Sequence, residues 1–99
     1  MATVLVLERK NAIKKIACFH ENLSKRMVHR PESLIGSREE CKEICMNLVS
    51  IKNLLKDSKS QTVSFFCHEW DTLTLPKKRL NVYFPGGEKY WEEFINFKC

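Results

Sequence analysis

Two apolar stripes at alternating three- and four-residue spacing, separated by a link that opens with proline and closes with glycine, constrain this chain most. Ile13, Ile16, His20, Leu23 and Met27 fall on one line, widened by Ala12 and Phe19. That period predicts an amphipathic helix over residues 8–29. Pro31 ends it, because the residue before a proline is pushed out of the α region. After Gly36, Ser37 stands three residues ahead of Glu40 as a capping box. Cys41, Ile44, Leu48, Ile51 and Leu55 then repeat the stripe, with Cys45 and Val49 beside it, and predict a second helix over 37–58. The link Pro31–Gly36 is six residues long. Two matching stripes joined so closely read as an antiparallel helical hairpin.

Beyond Ser60 the period changes from helical to alternating. Thr62–Cys67, Thr72–Leu75 and Leu80–Phe84 are rich in β-branched and aromatic residues, and Glu69-Trp70-Asp71 and Pro76-Lys77-Lys78 read as turns between them. A three-stranded antiparallel meander over 62–84 follows. Pro85-Gly86-Gly87 breaks the last strand. Residues 88–97 then form a short helix, with Tyr90, Trp91, Phe94 and Ile95 toward the core. Residues 3–7 read equally as a strand or as the first turn of the opening helix. The expected fold is α+β: an N-terminal antiparallel helical hairpin packed on a small three-stranded antiparallel sheet, with a short C-terminal helix, in one domain over 1–99.

Composition narrows the class. The chain has 99 residues, 43% apolar and 29% charged, a balance that excludes a wholly disordered polymer. The longest early apolar run, Val4–Leu7, is closed by Glu8 and falls far short of the roughly 20 residues a membrane span needs. It also lacks the layout of a secretory signal, so a cytoplasmic or nuclear location is expected. The five cysteines, Cys18, Cys41, Cys45, Cys67 and Cys99, are odd in number and irregular in spacing, and free thiols are the expectation. Twelve Lys against five Arg, with only three Ala, points to AT-rich coding DNA, such as that of a virus or an AT-rich parasite.

The net charge of +5 is unevenly spread, with +4 in residues 1–35, +1 in 36–60 and zero in 61–99. Lys10, Lys14, Lys15, Lys25 and Arg26 share the arc opposite the apolar stripe, over a length of about 24 Å at about 1.5 Å per residue, with Arg30 extending it. Such a row suits a phosphate backbone. Lys77, Lys78 and Arg79 form a second basic cluster, and Trp70 is the preferred stacking residue. No RNA-binding strand motif, phosphate-gripping GXXG loop or zinc-knuckle spacing accompanies them, so base-specific reading is not expected. The leading expectation is a small non-enzymatic accessory protein that binds nucleic acid, as RNA or a shape-read duplex, with low sequence specificity. The alternative is an interaction adaptor, viral accessory proteins included, that docks on a protein partner or forms a homodimer through its helices. Under that alternative Met46 and Leu54 should be exposed. No nucleophile elbow, HExxH or glycine-rich cradle points to catalysis, and the Cys/His spacing does not make a metal site. No catalytic residue, metal ligand or cofactor is expected.

Overall fold

The computed structural model describes residues 4–67, 75, 79–86 and 88–99. Strand β1 (Val4–Glu8) leads directly into α1 (Arg9–His29), and a single 3-10 turn over Pro31–Ser33 separates α1 from α2 (Arg38–Asp57). Strands β2 (Thr62–Phe66) and β3 (Leu80–Tyr83) follow, then α3 (Trp91–Asn96). Both long helices form where the apolar periods place them. Ser37 caps α2, its Oγ accepting from the Glu40 N–H at 3.1 Å. The link between the helices is fixed by Tyr90, whose hydroxyl accepts from Ile35 N–H at 2.8 Å and donates to Ile35 O at 3.0 Å.

The sheet is mixed, which corrects the antiparallel meander. Its order is β1-β2-β3, with β1 antiparallel and β3 parallel to β2. The apolar segment at residues 4–8 is a strand and occupies one side of β2. That leaves β3 the other side, which it enters from the same end as β2, a geometry that needs a crossover rather than a tight hairpin. The predicted strand at 72–75 falls, apart from Leu75, outside the described residues. Leu5, Phe65 and Val82 form one row across the sheet, and Leu7, Val63 and Leu80 form the next. Both rows pack toward the helices.

Phe94 of α3 lies at the centre of the core. Its ring stands 5.4 Å from Phe19 of α1, 5.2 Å from Phe65 of β2 and 4.7 Å from Phe84. Trp91, 2% exposed, packs beside it against Phe84. Docking of α3 rolls the buried face of α1 away from the sequence-derived line. Ala12, Ile16, Phe19 and Leu23 are fully buried, whereas Ile13, His20 and Met27 are only half-buried.

The chain passes from β3 toward α3 through Gly86 at φ +87°, where a Cβ would stand 2.7 Å from Ile44 Cδ1. Gly86→Ala therefore meets both left-handed backbone strain and a packing clash. We expect it to lower stability by about 1–3 kcal/mol in urea unfolding, with an unchanged denaturant slope.

Candidate nucleic-acid interface

The roll of α1 divides its basic row. At about 100° per residue, Lys10, Lys14 and Lys25 fall within a 60° arc, while Lys15 and Arg26 lie about 140° and 160° from Lys10, beside Phe19. The structure uses those two internally. Lys15 Nζ donates to Phe97 O at 2.8 Å and Ile95 O at 3.5 Å, and lies 5.4 Å from the Phe94 ring centroid. It thereby satisfies carbonyls at the end of α3, and its partial burial lowers its pKa from the ordinary lysine value. Arg26 grips Glu93 through both terminal nitrogens, at 3.1 and 3.5 Å, and donates to Ser33 O at 2.6 Å and Ser33 Oγ at 3.1 Å. With its side chain only 11% exposed, it fastens α1, the interhelix link and α3 together.

The remaining cations of the row face outward. Lys10 and Lys14 are exposed one turn apart, and Lys25 pairs with Glu21 at 3.1 Å in an exposed contact that salt screens readily. Arg30 is exposed at the far end of α1. Of the second cluster, Arg79 is described and half-buried at the entry to β3. Lys77, Lys78 and Trp70 lie outside the described residues.

Sheet register gathers a basic end that the helical row alone did not reveal. Glu8 pairs with Thr62, and the Arg9 N–H donates to Gln61 O at 2.8 Å, so the first turn of α1 lies against residues 59–61. Arg9 Nη1 also donates to Leu55 O at 3.4 Å, bringing in the last turn of α2. Between these segments lies an open hollow of about 400 Å³ lined by Arg9, Lys10, Lys59 and Ser60, with Glu8 as the one acid. Because Leu80 pairs with Val63, Arg79 enters the sheet at the same end. Arg9 and Lys59 were absent from the sequence-based set. The signal for them is the β-branched, apolar run at residues 4–7, when it is read as a strand pairing with 62–66.

The thiols divide into two groups. Cys18 of α1 and Cys99 form a disulfide across a sequence separation of 81, which corrects the expectation of free cysteines throughout. No local spacing announces a pair so far apart. Cys41, Cys45 and Cys67 are free and buried. Burial, chiefly, with the neighbouring Cys41, pushes the Cys45 thiol up to about 11, so it packs as an inert apolar group.

A contrasting surface lies on the outer side of α2. Met46, Val49 and Leu54 are 64%, 42% and 51% exposed, with Asn47, Ser50 and Asn53 between them. Lys52, the one charged residue in 46–54, stands about 120° around the helix from Met46. Among the described residues no three His, Cys, Asp or Glu side chains gather as a metal site, and no helix is long and apolar enough to cross a membrane. No protein-family model matches this chain, and no curated protein or solved structure matches it either.

The division of the row has a direct consequence for stability. Arg26→Ala should cost about 2–3 kcal/mol in chemical unfolding, because Glu93 and the Ser33 carbonyl lose their donor. Lys25→Ala, removing one screened surface pair, should change stability by less than about 0.5 kcal/mol.

Proposed function

We propose that this protein is a non-enzymatic nucleic-acid-binding accessory protein that holds a phosphate backbone at the basic end of the molecule and along the outer edge of α1. One observation carries the reading: Arg9, Lys10, Lys59 and Arg79 come from three separate stretches of chain and are drawn to one end by strand pairing. Cations concentrated this way produce a local field that a uniformly lysine-dotted surface lacks.

The helix itself adds to that field. The first turn of α1 contains no acidic residue, and the Glu8 side chain makes no capping bond. The positive end of a 21-residue helix thus faces the hollow together with Arg9 and Lys10. From there Lys14 and Lys25 continue along about 22 Å of helix edge, a length over which successive phosphates of a duplex could be met. All of these contacts are to charge, so the expected ligand is RNA or duplex read by shape, with little discrimination among base sequences.

Binding of a short RNA duplex, followed by fluorescence anisotropy across a salt series, tests this. Combined Lys10→Glu and Lys59→Glu should reduce affinity more than about tenfold and flatten the dependence of log K on log salt by about 1.8, the value for two lost phosphate contacts. Lys42→Glu, at the opposite end of α2, should have little effect. Affinity indifferent to salt, or equal losses in both variants, would overturn the proposal.

A second reading, docking on a protein partner, is favoured by the exposed Met46, Val49 and Leu54, in a stretch of α2 whose one charged residue, Lys52, stands to the side. Met46→Asp combined with Leu54→Asp should then abolish biological activity without altering the fold or RNA affinity. Activity surviving that change counts against the adaptor.

A further inference from the structure

We propose that the Cys18–Cys99 disulfide is a thiol-exchange latch that regulates the basic edge of α1, an inference that rests on the polyanion reading above. Residues 97–99 lie across α1 and are held in three ways. Phe97 stacks edge-on to Phe19 at 5.4 Å, its carbonyl accepts from Lys15 at 2.8 Å, and Cys99 is bonded to Cys18. The same strap that closes on α1 therefore engages Lys15, the cation next in sequence to the exposed Lys14.

The chemistry is available at this pair and not elsewhere. Cys99 is exposed and Cys18 half-buried, whereas Cys41, Cys45 and Cys67 are buried. A cellular thiol of the glutathione or dithiol class attacks Cys99 Sγ as its thiolate. The S–S bond breaks and its electron pair leaves on Cys18 Sγ, which takes up a proton. A second thiol of the reductant then attacks the mixed disulfide, releasing Cys99, which also gains a proton. The protein has accepted two electrons and two protons, and the reductant is left as its own disulfide.

The contacts that seat α3 do not include the disulfide. Phe94 and Trp91 are buried in the core, and Glu93 pairs with Arg26. What is released is the segment beyond α3, and with it the Phe97 carbonyl, the nearer of the two acceptors of Lys15; the Ile95 carbonyl and the Phe94 ring stay with α3. The loosened ammonium, on a four-carbon stem and about 100° around the helix from Lys14, then swings from the rim of α3 to meet a phosphate flanking that edge.

Two measurements on the full chain test the latch and its regulatory effect separately. In alkylation without denaturant, the oxidised protein should take no label. After dithiothreitol it should take two labels, mapped to Cys18 and Cys99, with the three buried thiols protected. Label on Cys41, Cys45 or Cys67, or none after reduction, overturns the latch. In salt-titrated binding to the RNA duplex, the reduced form should bind about threefold more tightly at low salt, with a slope about 0.9 steeper, one contact's worth. Cys99→Ser should reproduce the reduced form without reductant, and Lys15→Gln should erase the difference between states. Binding that is present but equal in both states overturns the regulation while leaving the polyanion reading intact. Absence of binding in both states overturns the two together, with the alkylation pattern still reporting whether the latch opens.

Discussion

The contact between Phe94 and Phe19 governs the arrangement of everything around it. A helix of six residues does not hold its own shape in water, so α3 exists because its aromatic face is taken into the core. Once Phe94 fills the space among Phe19, Phe65 and Phe84, α1 must present Phe19 and Ala12 inward. That roll fixes the environment of every basic residue on α1. Lys15 and Arg26 come to the rim of the core, where each finds acceptors on or just beyond α3, and Lys10, Lys14 and Lys25 are left to solvent. Core packing, and not charge itself, thus decides which lysines are available to a ligand.

The parts of the fold legible in the sequence were those set by short-range pattern. The stripe from Cys41 to Leu55 and the Ser37–Glu40 box place α2 within a residue of where it forms, because the period and the cap both act locally. Strand orientation was not legible. Whether Leu80–Tyr83 runs with or against Thr62–Phe66 depends on which side of β2 is already occupied, and the occupant, Val4–Glu8, lies more than fifty residues away in a stretch too short for periodicity to classify.

The candidate site divides along the same line. Helical spacing groups Lys10, Lys14 and Lys25, which are exposed in the structure, but it assigns Lys15 and Arg26 to the same surface because nothing in α1 alone locates α3. The separation on the helical wheel was already wide; only a packed neighbour turns a wide arc into two distinct environments. Arg9 and Lys59 went unnoticed for the complementary reason. They become neighbours through pairing of Glu8 with Thr62, a long-range contact. The cysteine pair is the extreme case, since no periodicity links residues separated by 81 positions.

That separation also bears on how the molecule divides its stability between packing and covalent bonds. In the chain-entropy picture, closing a loop of this size restricts the unfolded chain by about 4–5 kcal/mol, comparable with the whole stability of many small domains. A bond of that weight would be a poor switch if the fold depended on it locally. Here the strap that it closes is otherwise held by the Phe97 ring on Phe19 and by Lys15 on the Phe97 carbonyl. The interactions that position α3, namely the Phe94 cluster, Trp91 and the Arg26–Glu93 pair, lie on the core side of the strap. In the proposed latch, cleavage weakens the protein mainly through the unfolded state, while in the folded state it acts on the strap and the cation beneath it. This separation of global stability from local release is what the proposed latch requires of one covalent bond: a change at the surface of α1 with the elements that display it left in place.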